Sequence, residues 1–103
     1  MTISRRAALA GLAALPEVDA GRIAAIGYCF GGECVLELAR SGRPARAVVS
    51  FHGLLTTRQP ARPGEVKARV LALHAALDPH APMSTVPGFQ QEMADAGADW
   101  QVT

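Results

Sequence analysis

Cys29 stands in the run Gly27-Tyr28-Cys29-Phe30-Gly31-Gly32, between an apolar stretch ending at Tyr28 and a segment with helical patterning. A thiol on such a strand-to-helix turn projects clear of the sheet, because the backbone turns sharply beneath it. Gly27 and Gly31, two positions before and after, with Gly32 behind them, meet the need for small residues where strand and helix backbones converge. The sulfur would lie at a helix N-terminus, whose unpaired N–H groups and dipole favour the thiolate. The N–H of Phe30 would then donate to an oxyanion developing on an attacked carbonyl. The plainer reading is a glycine-rich turn that happens to hold a buried, inert cysteine. The spacing is not G-x-G-x-x-G, which argues against a dinucleotide loop.

Asp78 follows the apolar run Arg69–His74 and belongs to a loop at the carboxyl end of the expected sheet, where sites in α/β proteins form. Taken alone it is a turn aspartate ahead of Pro79. His52, at the end of a strand, reads as structural or site-lining. His74 reads as a satisfied core residue, and His80 lies too near Asp78 in sequence to be oriented by it. His74, Asp78 and His80 form a weak metal set, since no fourth ligand or supporting partner can be named. No metal and no cofactor are expected.

The elements that must position these groups alternate. A helix is expected over residues 3–15, stopped by Pro16, and a strand over 22–28. A helix from about Gly31 to Arg40 follows, with Ser41-Gly42 as its stop. The run 45–51, apolar but for Arg46 and Ser50, predicts a parallel strand covered on both faces. A loop over 53–68, a strand over 69–74, a helix from Thr85 to Ala96 closed by Gly97, and a strand beginning at Trp100 complete the pattern. Helices between strands predict βαβ units in a parallel sheet of three to four strands with flanking helices.

With 103 residues the chain fits a single domain. A net charge of +1 with scattered basic residues gives no sign of a nucleic-acid groove. Cys29 and Cys34 lack C-x-x-C spacing and make a thin disulfide framework, so a reduced, cytoplasmic setting fits. Ser4-Arg5-Arg6 before an Ala/Leu run imitates a twin-arginine signal, but Gly11, Pro16 and the many alanines weaken that reading. No apolar stretch reaches the ~18 residues of a membrane span.

Residues 22–32 together with Val35–Gly42 resemble the nucleophile region of the dienelactone hydrolase family. Val48–Leu54, Pro60–Gly64, the run from Leu73 to Pro79 and the segment Phe89–Trp100 continue the resemblance in order. It implies an incomplete α/β-hydrolase fold, Cys29 as nucleophile and Asp78 as the acid that orients a histidine. It further implies hydrolysis of a lactone or activated ester, a small-molecule substrate and no nucleic-acid or membrane partner. Departures are Ala75-Ala-Leu-Asp-Pro79 in place of Gly-Ala-Asp-Asp-Pro, and Pro87-Gly88 at the start of the last helix, expected to delay it.

The nucleophile–acid–histidine order of the fold places the histidine after the strand beginning at Trp100, a position that none of His52, His74 and His80 fills. The chain therefore reads as a central-to-C-terminal portion with impaired turnover, prone to self-association through its exposed sheet edges. The alternatives are a non-catalytic truncated product or assembly partner, and a glutamine amidotransferase-like thiol enzyme.

Overall fold

The computed structural model describes residues 4–103. Ile3, assigned above to the first helix, lies outside the described residues. Helix α1 (Arg5–Ala13) leads to strand β1 (Ala24–Tyr28), helix α2 (Phe30–Arg40) and strand β2 (Ala47–Phe51). Strand β3 (Arg69–Leu73), helix α3 (Val86–Asp95) and strand β4 (Trp100–Val102) follow. The sheet runs β1-β2-β3-β4, and every neighbouring pair is parallel. The expected parallel α/β sheet is the one observed.

Caps explain the helix ends. The Ser4 hydroxyl accepts from the Ala7 N–H at 3.1 Å and opens α1. Gly42 and Gly97 follow α2 and α3 in the left-handed region, at φ 74° and 70°. Behind α3, the N–H groups of Gly97 and Ala98 donate to the carbonyls of Ala94 and Met93, both at 3.0 Å, the paired bonds of a Schellman stop. Pro87 does not delay α3, contrary to expectation, because the helix starts at Val86. In the first turn the missing proline N–H has no intrahelical acceptor to lose.

Strands stepping in one direction through right-handed crossovers set their connecting helices on the same face of the sheet. Under those helices lie Val48, Ser50, Val70 and Ala72, each 3% exposed or less. Val48, Val70 and Ala72 pack with Val35, Leu36, Phe89 and Met93 in one core, which Leu9 of α1 joins. The opposite face has no helix among the described residues, so the expectation of cover on both faces is corrected. Ile26 and Tyr28 remain 60% and 61% exposed there. The Tyr28 ring stacks on Phe51 with centroids 4.5 Å apart.

Arg40 ties the helical layer together. Its Nε and Nη2 donate to the two carboxylate oxygens of Glu92 on α3, at 2.8 and 3.0 Å. Nη1 donates to Glu37 at 2.8 Å and Nη2 to the Leu55 carbonyl at 2.6 Å. Glu92 also accepts from the Ala61 N–H at 2.8 Å, which pins the long β2–β3 loop. The Arg40 side chain is 2% exposed. A guanidinium so buried is tolerable only because it is paired and each of its three nitrogens is hydrogen-bonded. Arg40→Ala is therefore expected to lower the unfolding free energy by about 3–5 kcal/mol, chiefly by stranding Glu92. Urea unfolding measures this; a loss below about 1 kcal/mol, the range of exposed pairs, would contradict it.

Candidate functional site

The parallel register pairs Tyr28 with Phe51 and Phe51 with Leu73. The next residues out are Cys29, His52 and His74, so three polar side chains begin a row along the carboxyl edge of the sheet. The ladder runs on past the strand ends to hold them. The N–H of Cys29 donates to the Phe51 carbonyl at 2.9 Å, and that of His52 to Leu73 at 2.8 Å. The N–H of His74 donates to Thr103, also at 2.8 Å.

Cys29 has φ 54° and ψ −119°, outside the helical and extended regions. Such a backbone costs about 1–3 kcal/mol and persists only where surrounding contacts impose it. The imposing contact is at Gly27, where an added Cβ would sit 2.1 Å from the Gly31 carbonyl oxygen. The strand thus passes directly under the first turn of α2. Cys29 is exposed, and as N-cap of α2 its carbonyl accepts from Glu33 at 3.2 Å. The Phe30 N–H that follows is the first of the helix, with no intrahelical acceptor.

The elbow glycines divide into two kinds. Gly32 is closely packed, since its Cβ would lie 2.6 Å from the Ser50 hydroxyl. Gly53 is equally confined, at 2.6 Å from the Glu33 nitrogen and the Gly32 carbonyl carbon. Gly31 has nothing within 4 Å of an added Cβ, which corrects the expectation that a small residue is needed there. It contributes its backbone to the close approach, while its side-chain position faces open space.

Cys29 opens into a cleft of about 270 Å³ lined also by Phe30, Glu33, His52, Leu54, Asp78 and His80. Its sulfur lies 3.2 Å from His52 Nδ1 and 3.5 Å from Nε2. Asp78 Oδ1 accepts from the N–H groups of His80 at 2.9 Å and Ala81 at 3.4 Å. The turn role and the site-lining place expected separately for Asp78 are therefore both present. The His80 N–H, first of all, holds the Asp78 carboxyl below its ordinary value of 3.8, against the effect of burial. The Ala81 N–H and the charges of His80 and His52 act in the same direction.

Sequence reasoning brought Cys29, Phe30 and Asp78 to one cleft, and the structure places them there. It missed the contact of His52 with Cys29. The signal was the equal offset of both residues, one past a strand, which becomes informative once strand order is known. His74 is not the satisfied core residue expected: both ring nitrogens are buried without a partner among the described residues. No cluster of three or more metal-ligating side chains occurs among the described residues. Nor is any described helix long and apolar enough to cross a membrane.

The profile described as "Dienelactone hydrolase family" matches residues 2–103, and the chain belongs to that family. An uncharacterized protein of Caenorhabditis elegans is 37% identical over 97 residues, covering 91% of this chain and 61% of its own length. Among solved structures, m3DLH is similar at 47% identity and a TM-score of 0.86, covering 95% of this chain. A dienelactone hydrolase-like promiscuous phosphotriesterase from metagenomic libraries is similar at 43% identity and a TM-score of 0.81, covering 94%. This chain spans 41% of each of those two structures.

Two outcomes follow from this geometry. Gly27→Ala is expected to cost roughly 1–3 kcal/mol or more by overpacking. Gly31→Ala should be neutral or gain up to about 1 kcal/mol of helix propensity. Equal urea midpoints for the two variants would show that the elbow is not tight. For Asp78, a depressed folded pKa means that its carboxylate stabilises the fold above 3.8 and that this contribution fades as pH falls through the folded value. The urea-midpoint gap between the parent and Asp78→Asn should be full at neutral pH and close on acidification; a gap that widens would reverse the sign.

Proposed function

We propose that this member of the dienelactone hydrolase family supplies the nucleophile and the acid of a thiol hydrolase acting on a lactone or an activated ester. The observation that carries the reading is the strained elbow, which holds the Cys29 sulfur at the N-terminus of α2 within a cleft shared with Asp78. A substrate carbonyl resting against the sulfur would direct its oxygen to the Phe30 N–H, so the charge formed on attack meets a fixed donor. The adduct would collapse to a thioester on Cys29, releasing the alkoxide arm, and water would then cleave the thioester.

Asp78 suits the orienting acid because it keeps its charge at neutral pH while two backbone N–H groups fix its position. A histidine is the group that such an acid orients in this fold. A reducing compartment matches a nucleophile that must remain a free thiol.

The test uses p-nitrophenyl acetate with mass mapping of the peptides. One acetyl group should appear on Cys29 and none on Cys34, and Cys29→Ala should abolish the adduct. Equal labelling of both cysteines, or acylation that survives Cys29→Ala, would defeat the assignment.

A further inference from the structure

The geometry points to an uncharged ester or lactone with a short apolar acyl arm as the substrate of the Cys29 cleft, in preference to one whose arm carries a carboxylate. This inference rests on the hydrolase reading above and names the substrate class of the same site. The residues around the sulfur carry it. Phe30 and Leu54 line the cleft as large apolar groups, left 74% and 37% exposed. An acyl arm lying against them would take both from water, a gain that scales with the apolar area covered. The cleft, about 270 Å³, falls at the small end of the roughly 300–1,000 Å³ of ligand clefts, so the arm it accepts is short.

Two carboxylates line the same space. Glu33 comes from the first turn of α2 and Asp78 from the loop after β3. The His80 N–H, with that of Ala81 behind it, keeps the Asp78 carboxyl ionised at neutral pH. Among the described residues no lysine or arginine lines this cleft. Arg58 belongs to a neighbouring cleft, which shares Phe30 and Glu33 with this one and also holds Glu37. An anionic arm would therefore meet two like charges with no cation beside them. The N-terminus of α2 does not offset this, because its field fades within the first turn and acts there on the thiolate and the forming oxyanion.

The two contributions are separable. Apolar contact rewards each methylene of the arm whatever group ends it, and salt does not screen it. Repulsion by Glu33 and Asp78 penalises charge whatever the length of the arm, and salt weakens it. Acylation with p-nitrophenyl esters reads out both. In that step the thiolate sulfur bonds to the carbonyl carbon, the bond from carbon to the leaving oxygen breaks, and p-nitrophenolate departs with the electron pair.

The probes are the p-nitrophenyl esters of acetic and hexanoic acids, the mono-p-nitrophenyl ester of adipic acid, and that monoester capped as its methyl ester. Acylation would be followed by the mass of the Cys29 peptide. The assay is run at about pH 8, above the ~6.5 at which histidine ordinarily gains its proton, because His52 and His80 also line the cleft. Each rate is divided by that of N-acetylcysteine amide, which removes the reactivity of the ester itself. Hexanoate should then exceed acetate by roughly 10-fold or more. The capped adipate should exceed the anionic one by roughly 5-fold or more. Glu33→Gln should roughly halve that second ratio, and so should salt at about 1 M. An anionic adipate that acylates as fast as its methyl ester would overturn the inference, as would no gain from acetate to hexanoate. So would a ratio that neither Glu33→Gln nor salt moves, since the discrimination would then lie outside this cleft. A folded chain in which none of the four esters acylates Cys29 is a separate outcome, and it would sink the hydrolase reading itself.

Discussion

The Gly31 carbonyl oxygen fills the space that a Cβ on Gly27 would occupy, and much else in the molecule depends on this approach of strand to helix. With β1 and α2 so close, the chain must pass from one to the other in a single residue. That residue is Cys29, and its positive φ is the consequence. The turn lifts the sulfur off the sheet and seats it at the start of a helix, where the macrodipole favours negative charge. Gly32 and Gly53 continue the compression on the far side, each confined to within 2.6 Å of a neighbouring atom. One steric constraint thus fixes both the shape and the electrostatics of the candidate nucleophile.

The second organising feature is the regular stagger of the parallel ladder. Each strand hands its final hydrogen bond to the next, so Cys29, His52 and His74 are held by equivalent backbone contacts. Chemistry collects at this edge because the N–H groups there are anchored while the side chains are free to leave the sheet. Opposite it, Arg40 anchors the helices to the β2–β3 loop through Glu92 and the Leu55 carbonyl. The core is therefore closed on the helical side. The other face stays open at Ile26 and Tyr28, a consequence of crossovers that all step the same way.

Much of the fold was legible in the residue pattern. Apolar runs of strand length, helical spacing between them, and glycines after the helices all correspond to observed elements, because local patterning reports local structure. The ends were less legible. Strand β1 begins at Ala24 rather than Arg22, because Asp19 caps a short 3₁₀ turn over Ala20–Arg22. Pro87 was misread as an obstacle for want of the exact helix start, on which its tolerance depends. Gly31 was misread because the elbow needs its backbone, which composition cannot separate from its missing side chain.

By itself the sequence determined the parallel α/β class, the elbow around Cys29 and the placing of Asp78 in a loop beyond a strand. Those follow from residue types and spacings within one segment of chain. Only the tertiary structure decided that His52 touches Cys29 and that Arg40 is buried among carboxylates. It alone decided that one face of the sheet lies open and that the His74 ring nitrogens are buried without partners. These depend on strand order, register and helix side, which bring together residues 23 or 52 positions apart. A local pattern cannot encode such distances, because many pairings of the same strands would satisfy it equally well.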